Sequence, residues 1–129
     1  MLRRGAAFVV LRKGDFILLR SRPEKGLLGG MTEVPGTEWT RDFEHALATE
    51  HAPLQAAWRR LPGVVTHTFT HFPLELVVYM ASVPTSAQAP AGARWTPLAD
   101  IPGEALPNVM RKVVAHALGT VRPRPDPRG

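Results

Sequence analysis

The sequence predicts a single α/β domain, a mixed β-sheet with helices on both sides, and three observations predict it. Strand-like apolar runs recur along most of the chain, separated by turns rich in glycine and proline. Helical spacing is confined to two places, one in the middle of the chain and one near its end. Finally, 129 residues, 44% of them hydrophobic, suffice for one core that buries roughly two-thirds of the surface exposed by the unfolded chain.

The first strands come from "GAAFVVLRKGDFILLRS". Residues 5–12 and 16–21 flank Lys13-Gly14-Asp15, a short turn with glycine in place, so the two runs should pair as a hairpin. In "RPEKGLLGGMTEVPG", Gly26, Gly29, Gly30 and Gly36 are too many for a helix interior, and the stretch reads as a loop, a short strand at Met31–Val34 and a turn. Arg20, Arg22 and Lys25 stand beside these glycines without the Gly-Lys-Ser/Thr ending of a phosphate loop, which makes them a solvated loop. "DFEHALATE", Asp42–Glu50, spaces Phe43, Ala46, Leu47 and Glu50 for one short helix.

"AAWRRLPGVV" reads as strand, Pro-Gly turn and strand, and "VVTHTFTHFPLELVVY" as two strands hinged on "FTHF". "RWTPL" is a short edge strand. Pro107 then opens a helix in which Met110, Val113, Val114, Ala117 and Leu118 form an i, i+3, i+4, i+7, i+8 stripe, with Gly119 as its stop. Arg111, Lys112 and His116 fall on the polar face of that helix and read as solvated. The tail "VRPRPDPRG", residues 121–129, alternates proline with charge and is expected to be disordered, leaving residues 1–120 as the domain.

Composition narrows the function. Sixteen basic and eleven acidic residues give a net charge of +5, which fits an anionic partner such as nucleic acid, or simply a solvated surface. No run approaches the roughly 18 apolar residues of a membrane span and no signal peptide precedes the first strand, so a cytoplasmic, nucleoid-associated monomer away from membranes is expected. The absence of cysteine excludes disulfides, an iron–sulfur cluster and a thiolate zinc site within these residues.

The turn "FTHF" is the anomaly. Tight hairpins usually turn on Gly, Asn or Asp because their central residues need positive φ. Here His67, Phe69, Thr70 and His71 gather imidazole, aromatic and hydroxyl groups on one loop, a surface suited to something flat and polar. Phe69 reads equally well as an inward-facing core residue of a strand. His67 and His71 would share a face on a helix, but on a strand they lie about 13 Å apart, and no cysteine or convincing carboxylate accompanies them as a metal ligand.

Four segments in order, "RPEKGLLGGMTEVPG", "VVTHTFTHFPLEL", "RWTPLAD" and "ALPNVMRKV", spread over roughly residues 4–118, resemble the C-terminal domain of the MutY family of adenine DNA glycosylases, which has a Nudix-like fold. The resemblance implies a lesion-recognition domain for base excision repair that reads 8-oxoguanine paired with adenine in double-stranded DNA. An N-terminal glycosylase domain in cis would remove the adenine and hold any iron–sulfur cluster, so no cofactor is expected here. A first strand beginning at residue 5 fits either a domain cut from such a glycosylase or a free-standing copy.

The family's Phe-Ser-His signature reads Phe69-Thr70-His71 here, with His67 two residues before the Phe. Thr70 keeps the hydroxyl and adds a methyl. Thr32 stands where many members have Trp, which bears on packing. By this resemblance Thr70 would accept from the N7–H that oxidation creates on guanine, Phe69 would stack on or wedge beside the base, and His67 and His71 would donate to phosphate or sugar or brace the loop.

Two rival functions share the fold. A Nudix hydrolase of 8-oxo-dGTP or another nucleoside diphosphate derivative needs clustered carboxylates on a helix to hold Mg²⁺. Counting that motif forward from Gly36 puts Glu50, His51, Leu54 and Gln55 where Arg and three Glu should stand, which disfavours it. A protein-interaction module fits the Pro-rich loop and tail but leaves "FTHF" unexplained.

Overall fold

The centre of the molecule is a pair of long strands that run side by side. In the computed structural model, which describes residues 1–121, β1 (Arg3–Arg12) and β6 (Pro73–Val83) are parallel, in register from Arg3 opposite Leu74 to Arg12 opposite Val83. Both are near-continuous apolar runs because both sheet faces are covered. Alternation sorts them. Ala7, Val9, Leu76, Val78 and Met80 join the main core under the C-terminal helix, while Ala6, Phe8, Val77 and Tyr79 form a smaller cluster on the opposite face.

The hairpin of β1 with β2 (Phe16–Ser21) forms as the sequence predicts, on a turn where Gly14 and Asp15 take positive φ. It is paired only near the turn, at Leu11–Ile17 and Arg12–Phe16, beyond which the same edge of β2 pairs with β3 (Thr32–Glu33); its other edge carries β7 (Ala93–Pro97), the expected edge strand. The edge of β1 vacated by β2 is taken by residues 35–40. Phe8 N–H donates to Pro35 C=O at 2.8 Å, Thr37 N–H to Ala6 C=O at 2.9 Å, and Arg4 and Thr40 exchange bonds of 2.8 and 2.9 Å. Gly36 permits this approach, since a Cβ there would lie 2.5 Å from Ala6 C=O.

The opposite edge of β6 carries both remaining strands. The sequence reads β4 (Arg59–Arg60) and β5 (Val65–Thr68) as joined by a Pro-Gly turn, and so they are, but they lie end to end along β6 instead of pairing with each other. β6, at eleven residues, is long enough for both in succession. Between them Leu61 donates its N–H to Val78 C=O at 2.8 Å, and Gly63 turns the chain at φ 76°.

Two helical expectations need correction. Residues 42–50 do not make an amphipathic α-helix: a 3-10 helix spans His45–His51, Ala48 is its one buried residue, and Leu47 is exposed. Seven residues are too few to overcome helix nucleation, and three residues per turn shifts the buried face off the Phe43, Ala46, Leu47 stripe. Phe43 still packs against the smaller cluster from outside the helix.

The C-terminal helix α1 (Asn108–Val121) begins directly after Pro107 as expected and buries Met110, Val113, Val114 and Ala117. It does not stop at Gly119. That glycine is not among those with positive φ, so no left-handed cap forms, and the helix takes in Val121 at the modest cost of an interior glycine. Residues 122–129, most of the tail expected to be disordered, lie outside the described residues. Among the described residues no helix is long and apolar enough to cross a membrane.

Candidate nucleic-acid interface

The β5–β6 hairpin turns at Phe69–Phe72, where Phe69 N–H donates to Phe72 C=O at 2.9 Å. Among the described residues only Asp15 and Leu28 combine positive φ with a side chain, so Thr70 and His71 sit in ordinary backbone regions. This turn has no need of glycine. Its two central side chains are free to be chosen for what they contact, and both are exposed at the tip.

Behind the tip lies an aromatic shelf. Phe69 stacks on Trp39 (ring centroids 5.8 Å apart, planes at 25°), leans on Phe72 at 5.1 Å and meets His67 edge-on at 4.7 Å. The Arg3 guanidinium lies 4.2 Å over the Phe72 ring, and that of Arg22 lies 4.7 Å over Trp39. Aromatic pairs of this kind contribute about 0.5–1.5 kcal/mol beyond burial, and exposed cation–π contacts about 0.5–1 kcal/mol. Phe69 is therefore not a fully buried strand residue. It is half-buried at the rim of the main core, held by three rings.

His67 has its own partner. Nδ1 lies 3.1 Å from Lys112 Nζ on α1, and the same ammonium donates to Thr66 C=O at 3.1 Å. A lysine ammonium has only donors, so Nδ1 must accept and the proton of the neutral imidazole sits on Nε2. Burial, and secondarily the Lys112 charge, hold His67 below the usual histidine range. Of the four residues expected at the site, His67 and Phe69 touch each other, while Thr70 and His71 share the exposed tip.

Trp39, Arg3 and Lys112 complete this surface, and the sequence assigns none of them to it. Trp39 reaches it because residues 35–40 run along β1, and because Gly5 clears its path: a Cβ at residue 5 would stand 2.8 Å from Trp39 Cδ1. Lys112, read as solvated, is exposed and is also tied to β5.

Arg20 and Arg22 do not form the solvated loop expected of them. Both turn inward onto Glu33, which is 6% exposed and accepts from Arg20 Nε at 2.8 Å and Arg22 Nη1 at 2.7 Å. Next to it the buried Thr32 hydroxyl lies 3.4 Å from Glu104 Oε1, and Glu104 also accepts from Arg94 Nη2 at 2.5 Å. The Arg94 hydrogen bond holds the Glu104 carboxyl below its usual range, against the opposing effect of burial. Thr32 thus fills the position where the family pattern has Trp with a hydroxyl that has a partner.

On the other side of the sheet, the cleft bounded by Gly36, Glu38, Asp42, Glu44 and His51 measures about 620 Å³. Beside it, the segment in which a hydrolase would need an α-helix of carboxylates is the 3-10 helix His45–His51, carrying Glu50 alone among acids.

A family model described as NUDIX domain matches residues 6–116. Adenine DNA glycosylase of Homo sapiens is 34% identical over 110 residues, which cover 78% of this chain and 20% of that protein. That of Rattus norvegicus is 34% identical over 125 residues, covering 84% and 24%. The chain thus spans about a fifth to a quarter of the length of the curated relatives it matches. Among solved structures, the C-terminal domain of mouse MUTYH, crystallised in complex with human PCNA, superposes with a TM-score of 0.69 and 26% identity over 95% of this chain and 99% of that one. The MutT protein from Methanosarcina mazei shares the fold, with a TM-score of 0.67 over 94% and 96% of the two chains at 15% identity.

Proposed function

The chain belongs to the NUDIX domain family, and from that premise we propose that it is a lesion-recognition domain of the adenine DNA glycosylase type, reading 8-oxoguanine opposite adenine in duplex DNA. The observation that carries this reading is the tip of the β5–β6 hairpin, where Thr70 and His71 stand exposed between Phe69 and Phe72, whose rings form an aromatic shelf with Trp39 that carries cations on its rings. An aromatic-backed tip offers apolar support for pressing on a base. Ordinary guanine presents an N7 acceptor on its major-groove edge. Oxidation converts it to an N7–H donor beside a new O8 acceptor. The Thr70 hydroxyl accepts from the first and a loop N–H donates to the second, whereas guanine would oppose acceptor to acceptor. The adenine is removed by a glycosylase domain in cis, which would also carry any metal cluster.

Thr70→Ala, assayed in fusion with the glycosylase domain, is expected to lower discrimination between A:8-oxoG and A:G by about 1–3 kcal/mol, the worth of one specific base contact. Thr70→Ser is expected to retain it. Wild-type discrimination by a folded Thr70→Ala protein at matched salt would remove Thr70 from the reading.

The same proposal makes the domain non-catalytic, supported by the lack of a carboxylate-bearing α-helix at residues 42–51. Incubation with 8-oxo-dGTP and Mg²⁺ should yield no product. Turnover near the roughly 1–10³ s⁻¹ of ordinary enzymes would make it a hydrolase instead. A protein-interaction role is compatible with lesion reading, since the mouse MUTYH domain was crystallised with PCNA.

A further inference from the structure

Three neighbouring strands place a row of residues across the base of the "FTHF" loop. Leu74 on β6 is opposite Arg3 on β1 and opposite His67 on β5. Residues aligned in this way across a sheet point to the same face, and strands two apart are about 10 Å from each other. Leu74 is buried in the main core, beneath α1. Arg3 and His67 therefore flank it on the face to which α1 contributes Lys112, and the loop rises between them.

Among the described residues, the Arg3 guanidinium has no carboxylate partner and rests on Phe72, whereas Arg4 pairs with Glu75, Arg20 and Arg22 with Glu33, and Arg94 with Glu104. Lys112 likewise has no acidic partner. It spends two of its three N–H donors on Thr66 C=O and His67 Nδ1, leaving the third. Its contact also fixes the neutral tautomer of His67 that carries a proton on Nε2. The two cations come from different elements, and each is held in place by the loop's own neighbours.

We propose that Arg3 and Lys112 form a clamp for the phosphodiester backbone on either side of the "FTHF" tip, with His67 Nε2–H as an accessory donor set by Lys112. The clamp rests on the DNA-reading function above and assigns it two backbone contacts. Such contacts fix register and orientation without reading the base. Arg22 is not part of it, because its charge is already paired with the Glu33 carboxylate.

The test measures binding of the full chain to duplexes containing A:8-oxoG or A:G over a series of salt concentrations. Each neutralised phosphate contact contributes about 0.9 to the slope of log K against log salt. Arg3→Met and Lys112→Met, which keep the apolar stems, should each reduce the slope by about that amount, and the double variant by about twice as much. The ratio of affinities for the two duplexes should not change. Lys13→Met, at the far end of β1, should leave the slope unaltered. In parallel, NMR titration of Lys112→Met should show His67 titrating at higher pH than in the wild type.

Wild-type slopes in both single variants, or an equal loss from Lys13→Met, overturn the clamp while lesion reading stands. Wild-type protein that binds DNA without preferring A:8-oxoG overturns lesion reading. Absence of DNA binding even at the lowest salt overturns both.

Discussion

Val113→Asp should cost the domain at least about 4 kcal/mol, a large part of the 5–15 kcal/mol that holds a typical domain together. Val113 is fully buried where α1 meets the main core, and burying a valine contributes about 1.5–3 kcal/mol by itself. The substitution loses that burial and adds a carboxyl with no partner, which must either stay ionised in an apolar site or take up a proton. Chemical denaturation reads the effect as a lower midpoint. Ala115→Asp, two residues on at an exposed position of the same helix, changes helix propensity without burial and should move the midpoint by no more than about 1 kcal/mol. Equal midpoints for Val113→Asp and wild type would mean that α1 does not pack on this face.

Glu33→Ala is the second large effect, expected near 3 kcal/mol. Its carboxylate is the shared partner of Arg20 and Arg22, and its removal leaves two guanidinium groups facing each other beside β3. Breaking a buried pair by deleting one partner costs about 3–5 kcal/mol, and the lower end applies because Arg20 is 37% exposed and can recover water. Loss of the carboxylate also frees Arg22 from its position over Trp39, so the aromatic shelf behind Phe69 should loosen. A stability change under 1 kcal/mol in Glu33→Ala would show that solvent already screens this network.

The elements read correctly from sequence are those set by nearby residues. The β1–β2 hairpin is written by alternating apolar runs around Gly14, and α1 by the stripe from Met110 to Leu118, because each pattern decides its own structure within a few turns of chain. Residues 42–50 mislead because a four-residue stripe on so short a segment cannot outweigh tertiary packing, which buries Ala48 instead. The surface around the "FTHF" loop was half legible. His67, Phe69, Thr70 and His71 announce themselves by being odd residues for a turn. Trp39, Arg3 and Lys112 carry no local signal: they reach the loop through strand register and through a contact, Lys112 to His67, that spans 45 residues of chain. Glu33 and its two arginines were equally hidden, since neutralisation inside a network does not alter hydropathy patterning.

The parallel pairing of β1 with β6 sets a clock on biosynthesis. The strands' partners are about seventy residues apart in the chain, from Arg3 and Leu74 at one end to Arg12 and Val83 at the other. At the ribosomal pace of roughly 5–20 residues per second, β1 emerges several seconds before the strand that covers one of its edges. During that interval its run Ala6 to Val10, apolar on both faces, can be paired along one edge only, by β2 near the turn and by residues 35–40, while the edge that β6 will cover stays open. The exposed edge is a template for pairing with another nascent chain. Slower elongation between residues 12 and 73 should therefore lower the soluble yield, and holding a chaperone on β1 until β6 appears should restore it.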